Sequence, residues 1–365
     1  MPSSPSLRVA VLAHLRHPIA EPFRGGMEAH TALLTDALVE AGHRPMLFAT
    51  ADSAPGRPLE PVSPEGYERI LPWARWHGTP QLGAWLTDAY DGAWRHIRAG
   101  AFDVVHNNTV FAPLPHWAVR DRVATVTTLH VPPFAALSDA IGAAAAPWHR
   151  TTVPSRDQQR IWQAATGFTP TVVPNGIALD RWPFDPAGGG RAIWFGRITG
   201  TKGTAEALRA ASLASIGLDV AGPIEDANYF EGLRPLWGDD HRYLGHLHGP
   251  ALAAAVGRAA VALCTPRWDE PFGLVAAEAL ACGTPVAAFA RGALADVIGN
   301  AGALADDVAG LAQAIGRARR VSRPYCRVRA ERLFGASAMV ERYLAIYRDV
   351  IAAASSIANT RAELA

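Results

Sequence analysis

Pro266-Arg267-Trp268-Asp269-Glu270-Pro271-Phe272-Gly273-Leu274-Val275-Ala276-Ala277-Glu278-Ala279-Leu280-Ala281-Cys282-Gly283-Thr284-Pro285-Val286 is the stretch on which the reading of this chain turns. The run before it, Ala259 to Cys264, is short and apolar, the form of a parallel strand covered on both faces. Pro271 and Gly273 break the chain, and a helix is expected from Leu274 to Ala281. Gly283 stands where that helix can stop, and Pro285 bars its continuation. Val286 to Ala290 reads as the following strand, so the stretch is one βαβ unit. Glu270 falls on the loop above a strand tip and Glu278 inside the helix, with seven residues between them and little other charge nearby. Glu278 shares a helix face with Leu274 and Ala281. A carboxylate there should have a partner, because an unpaired buried charge is costly; the alternative is a solvated surface position.

Outward from this unit, composition narrows the class. A chain of 365 residues, 49% hydrophobic, is long enough for two cores. A net charge of +1 gives no argument for a nucleic-acid partner or a strongly acidic substrate. The start, Met1 to Ser6, lacks the basic-then-apolar form of a signal peptide, and no apolar run reaches spanning length. Cys264, Cys282 and Cys326 are dispersed and outside any metal-ligand spacing, so a reducing cytoplasm and no metal site are expected.

Leu7 to Ala13 is a strand. The turn Arg24-Gly25-Gly26-Met27-Glu28 opens an amphipathic helix that Gly42 ends, and Pro45 to Ala49 is a second strand. Strand, glycine turn, helix, strand is the opening of a doubly wound sheet, and helix amides at such a turn can face an anion. Residues 51–80, rich in Pro and Gly, read as irregular. Trp73, Trp76, Trp85, Tyr90 and Trp94 could wall a sugar site, although packing between helix and sheet is the simpler account. Strands at 102–106 and 123–130 end on His106 and His130, at the carboxyl edge where such sheets collect ligands. Pro183 to Gly190 is a linker, and a second domain opens with the strand Arg191 to Gly196. Arg197 and Lys202, at a glycine-containing turn before a helix, suit a diphosphate: a forked donor and a point charge with helix amides behind. The spacing is not that of a Walker loop. Arginines crowd residues 317–332; a solvated helix face accounts for them more simply than contact with an anionic membrane. Met339 to Ala354 is a strong terminal helix.

Together these motifs resemble the retaining glycosyltransferases of the GT-B fold, in particular glycosyltransferase family 4. The resemblance rests on Glu270 and Glu278 with Pro271-Phe272-Gly273-Leu274 and Ala281-Cys282-Gly283-Thr284-Pro285-Val286 around them. Gly25-Gly26-Met27-Glu28, Thr128-Leu129-His130, Pro174-Asn175-Gly176-Ile177 and Gly196-Arg197 with Lys202-Gly203 extend it along nearly the whole chain. Ala178 stands where aspartate is commoner.

The resemblance implies an α/β fold of two Rossmann-like domains facing each other across a cleft. The first would span residues 1–172 and bind the acceptor, with a terminal helix at about 339–365 packing back on it. The second, residues 173–338, would bind a nucleotide sugar. It implies retaining transfer of a sugar from a nucleoside diphosphate to an acceptor hydroxyl, with neither cofactor nor metal. Arg197 and Lys202 would hold the diphosphate, Glu270 the sugar, Glu278 the ribose, and His130 would lie near the reacting centre. Gly25, Gly26, Phe272, Gly273 and Leu274 would line the nucleotide-sugar site. The acceptor is left open among a small molecule, a glycan and a lipid-linked sugar, with peripheral membrane contact one option. A silent sugar-nucleotide-binding protein and a sugar-nucleotide epimerase or oxidoreductase remain alternatives. The latter lacks a Gly-x-Gly-x-x-Gly run after the first strand.

Overall fold

The computed structural model of the chain describes residues 5–53 and 56–362. Outside it lie residues 1–4, 54, 55 and 363–365, which include the start of the segment read for a leader and the end of the expected terminal helix. The short apolar runs form two parallel sheets. In the first, β1 (Arg8–Leu12), β2 (Arg44–Thr50), β3 (Leu59–Ser63), β4 (Val104–Asn107), β5 (Thr125–Thr128), β6 (His149–Val153) and β7 (Thr171–Val172) lie in the order β3-β2-β1-β4-β5-β6-β7. In the second, β8 (Ala192–Phe195), β9 (Leu218–Ala221), β10 (Arg242–Tyr243), β11 (Val261–Cys264), β12 (Val286–Phe289) and β13 (Gly302–Ala305) run β10-β9-β8-β11-β12-β13. Strand order reverses beside β1 and beside β8, the switch points of a doubly wound sheet.

The chain divides into two compact units. One holds the residues up to Pro154, Gln158–Gly176 and those from Ala336 on; the other holds Ser155–Asp157 and Ile177–Gly335. The long helix Ala336–Ala362 completes the first unit's core, where Met339, Val340, Tyr343, Leu344, Tyr347 and Val350 pack with Val9, Val11, Leu34 and Val126. In the second unit, the helix Leu274–Ala281 is buried along Ala276, Ala277, Ala279, Leu280 and Ala281.

Residues 51–80 are more ordered than expected: they contain β3 and the single-turn helices Tyr67–Ile70 and Trp73–Trp76. Pro58 and Pro61 hid the strand. It is an edge strand, where a residue without an N–H is tolerated, and its ladder slips between Ala49 and Thr50. The aromatic residues of the next helix, Pro80–Ala99, are packing residues: Tyr90 and Trp94 are buried, with Tyr90 Oη donating to the Ala13 carbonyl at 3.0 Å and Trp94 Nε1 to Asp121 at 2.8 Å. Trp73 stays exposed, stacked on His77 with Arg16 beside it.

The arginines of the helix Arg323–Phe334 do not form the expected solvated face. Arg323 donates to the carbonyls of Asp185 (2.6 Å), Ala259 (2.8 Å) and Gly257 (2.5 Å) and to Thr284 Oγ1 (3.1 Å). Arg327 serves the carbonyls of Trp182 and Ala281, and Arg329 those of Asp296 and Val297. The guanidinium fork thus satisfies loop ends that no ladder reaches. Arg319, Arg320 and Arg332 remain exposed.

Arg323→Ala should strand several of those carbonyls and destabilise the second unit by about 2–3 kcal/mol, whereas Arg319→Ala should stay within about 0.5 kcal/mol of wild type. Denaturant titration followed by a probe in the second unit checks both.

Candidate functional site

The site residues of the second unit are set by two loops at strand tips. One follows β8 and carries Arg197 and Lys202; the other follows β11 and carries Glu270. Backbone contact stitches them together. Gly203 has φ +73°, and a Cβ there would lie 1.9 Å from the Thr265 carbonyl, so only glycine allows this approach. Thr265 Oγ1 donates to the Gly203 carbonyl at 2.7 Å and accepts from Trp194 Nε1 at 3.0 Å, while the Arg267 amide donates to the Thr201 carbonyl at 2.9 Å. On its other side the Glu270 loop rests on Gly292, whose φ is +52° and whose Cβ would fall 2.4 Å from the Glu270 carbonyl. The Ala293 amide donates to that carbonyl at 2.8 Å.

These stitches bring Lys202 and Glu270 together although 68 residues separate them. Lys202 Nζ donates to Glu270 Oε1 and sits 5.4 Å from the centre of the Trp268 ring. Trp268 Nε1 donates to the same Oε1 at 2.9 Å. The two charged side chains are only 25% and 14% exposed, so the pair is less screened than a surface pair. Arg197, 48% exposed, is paired instead with Glu225 at 2.9 and 3.0 Å. Sequence reading missed Trp268 and Glu225. Trp268 stood inside the decisive stretch, and its indole N–H two residues before a glutamate was the available signal.

Glu278 corrects an expectation. Among the described residues no hydrogen bond or ion pair reaches its carboxylate. It keeps a partly open edge, but surrounding protein desolvates it and pushes its carboxyl up to about 7. A carboxylate lodged on an apolar helix face without compensation is available to hydroxyl donors from outside the chain. Burial raises the thiols of Cys264 and Cys282 to about 12, with the Glu270 charge adding most to it at Cys264 and the Glu278 charge at Cys282. All three cysteines are free and buried. Phe272 turns into the core, edge-on to Phe334 at 5.5 Å, so its side chain is a packing group. Gly273 immediately precedes the helix Leu274–Ala281, and Leu274 packs partly buried on that core. The open first-turn amides of such a helix can serve an anion. No cluster of three or more His, Cys, Asp or Glu arranged to hold a metal occurs among the described residues.

In the first unit Gly25 is extended and caps the helix Gly26–Glu40. A Cβ at Gly25 would lie 2.9 Å from Glu28 Oε2, so the turn and the buried carboxylate fit against each other. His130, just past β5, shares a hydrogen bond of 2.8 Å between Nε2 and Asn108 Oδ1. His106 lies deeper, tied to Tyr347 Oη at 2.6 Å and to Asn108 and Thr128 at 3.0 Å. His30, unremarked in the sequence, packs 4.5 Å from the His130 ring, and neither of its nitrogens has a hydrogen-bond partner among the described residues. Burial holds His14 and His30 at about 4 and His106 at about 3, and it holds His130 well below its usual range.

Comparison with known proteins gives the family and the fold. Residues 24–181 match the family described as Glycosyltransferase Family 4, and residues 190–320 match Glycosyl transferases group 1. The chain is 30% identical over 322 residues to the phosphatidyl-myo-inositol mannosyltransferase of Mycobacterium leprae, covering 80% of this chain and 83% of that one. It is 33% identical over 165 residues to the glycogen synthase of Mycobacterium tuberculosis, a match spanning 40% of this chain and only 38% of that enzyme. The crystal structure of a glycosyltransferase involved in avilamycin A biosynthesis superposes with a TM-score of 0.69 at 24% identity, over 95% of this chain and 98% of that one. The two Rossmann-like domains are those of the GT-B class. The chain belongs to glycosyltransferase family 4, within the group 1 glycosyltransferases. That membership sets aside the oxidoreductase alternative.

The buried histidines make the first unit acid-sensitive. They are neutral when folded and protonate near pH 6.5 once unfolded, so the unfolded chain binds more protons. Stability should be full above about pH 6.5 and fall toward pH 4, each histidine adding a slope of up to about 1.4 kcal/mol per pH unit. Melting temperatures measured between pH 7.5 and 4.5 check this, and His30→Phe should flatten the slope.

Proposed function

We propose that the chain moves a sugar from a nucleoside diphosphate sugar to an acceptor hydroxyl, with retention at the anomeric carbon and without a metal. The observation that carries the proposal is the juxtaposition of Lys202 and Glu270 on stitched loops beside the N-terminus of the helix that bears Glu278. Charge develops on the departing diphosphate in such a transfer. Lys202, Arg197 and the amides after Gly273 are donors suited to stabilise it without an ion. Glu270 would accept from sugar hydroxyls and Glu278 from the ribose, whose two hydroxyls match a carboxylate that has no partner among the described residues. His130, hydrogen-bonded through Nε2, is assigned to the sugar near the reacting centre. Gly25 and Gly26 would let a phosphate approach the helix start.

No motif supplies a nucleophile beneath the anomeric carbon, so we infer same-face attack assisted by the leaving phosphate. The acceptor is a hydroxyl compound of the small-molecule, glycan or lipid-linked kind. No described helix is long and apolar enough to cross a membrane. Three buried free thiols suit a reducing compartment, which supports a cytoplasmic assignment. Melting-temperature shifts across nucleoside diphosphates and their sugar conjugates, followed by release of the diphosphate, test the proposal directly. If no sugar nucleotide is bound or turned over, it is overturned.

The two glutamates should separate. Glu278 meets a part common to substrate and product, so Glu278→Gln should weaken nucleoside diphosphate and sugar nucleotide alike by about 1–3 kcal/mol. Glu270 meets the part that changes, so Glu270→Gln should spare product affinity and lower turnover by about ten- to a thousandfold. Because ribose hydroxyls favour the ionised carboxylate, binding should strengthen as pH rises through about 7, and this dependence should flatten in Glu278→Gln. Calorimetry at several pH values, paired with turnover, reads both; exchanged phenotypes would reverse the assignments. Turnover should also persist in excess chelator. Its abolition, with recovery on adding magnesium or manganese, would sink the metal-free mechanism.

A further inference from the structure

Trp268 stands out among the residues around Glu270. It is 39% exposed, a large apolar side chain left in water between Arg267 and Asp269, which are exposed as well. Its neighbours fix the loop on both sides: the Arg267 amide is bonded to the Thr201 carbonyl, and Asp269 Oδ1 accepts from the Gly292 amide at 3.2 Å. The backbone is therefore held without help from the indole. What the indole does is local. Its N–H donates to Glu270 Oε1 at 2.9 Å, and its ring lies under the Lys202 ammonium, 5.4 Å away. Oε1 thus receives both donors, and Oε2 has no partner among the described residues.

We propose that Trp268 is a positioning residue that keeps the Glu270 carboxylate aimed at the sugar when a diphosphate draws Lys202 toward itself. This rests on the reading of the site given above. Lys202 is the stronger of the two holds on Oε1, but it is a mobile point charge on a four-carbon stem that two anions would share. The indole N–H is neutral and donor-only, on a side chain with two rotatable bonds. A diphosphate attracts it far less than it attracts an ammonium, so its bond to Oε1 is the one that survives. With Oε1 held, Oε2 keeps a fixed direction for a sugar hydroxyl. The ring supplies the complementary service, a cation–π seat that keeps Lys202 near the site. The side chain therefore acts through Glu270 and Lys202 and need not touch the reacting atoms.

Two substitutions separate the N–H from the ring. Trp268→Phe keeps an aromatic face and removes the donor. Trp268→His places an Nε2–H where the indole nitrogen stood and gives up the larger ring. The full-length protein is assayed with UDP-glucose, GDP-mannose and ADP-glucose for release of the nucleoside diphosphate, and by calorimetry with UDP, GDP and ADP. Glu270→Gln is the reference. Trp268→Phe should lower turnover about tenfold while leaving nucleoside diphosphate affinity within about twofold, and Trp268→His should return turnover to within about threefold of wild type, since a catalytic group displaced by less than an ångström loses rate before binding. The proposal is overturned if Trp268→Phe turns over normally while Glu270→Gln does not. It is equally overturned if Phe and His variants lose turnover alike, or if product affinity falls as far as turnover. If the wild type releases no diphosphate from any of these compounds, or Glu270→Gln is unimpaired, the site reading itself fails and this proposal with it.

Discussion

The approach of Gly203 to the Thr265 carbonyl is the constraint on which the second unit's chemistry depends. Any side chain at Gly203 would occupy the space of that carbonyl, and the backbone there is in a region that side chains rarely adopt. Accepting this conformation lets one threonine hydroxyl tie the end of the cationic loop to the tip of β11, with Trp194 closing the network from β8. Everything beyond follows by short links. Arg267 is pinned to Thr201, Glu270 is pressed on Gly292, and the lysine of one loop meets the glutamate of the other. Rigid placement of charged groups on strand tips is how a sheet turns stability into reactivity.

The two glutamates show how differently one residue type can be treated within a single helical turn and its preceding loop. Glu270 has an ammonium and an indole N–H on one oxygen. Glu278 has no hydrogen bond or ion pair from any described residue, and burial governs it. Leaving a carboxylate uncompensated on a helix otherwise buried among alanines lowers the stability of that helix, and a glutamine or methionine would fit the same space with less penalty. A residue that works against its own helix is explained by a ligand better than by packing.

Much of the fold was legible because strands covered on both faces are written as unbroken apolar runs, such as Val9-Ala10-Val11 or Val261-Ala262-Leu263. The exceptions have local causes. β3 carries Pro61 and has an edge position that no local pattern reveals. Of the candidate site, the residue types and their loops could be read, but their mutual contacts could not. That Gly203 must be glycine is decided by Thr265, 62 residues away, and that Arg323 serves four backbone carbonyls is decided by where those segments end. The expectation of a partner for Glu278 applied a sound rule for buried charge to a position where the protein leaves that charge unanswered. Phe272 was grouped with the nucleotide-sugar contacts by its neighbours in the sequence, while its ring follows the core.

The composition of the first unit's core bears on the order in which the chain can acquire structure as it is synthesised. Tyr343 and Tyr347 lie against His106, and Met339, Val340 and Val350 fill space beside β1 and β5, yet these residues follow the whole second unit in the chain. The second unit, by contrast, is nearly contiguous from Ile177 to Gly335. The usual vectorial sequence, in which the amino-terminal domain is finished first, is therefore inverted. The second unit can close while the sheet of the first still lacks the cover of the helix Ala336–Ala362.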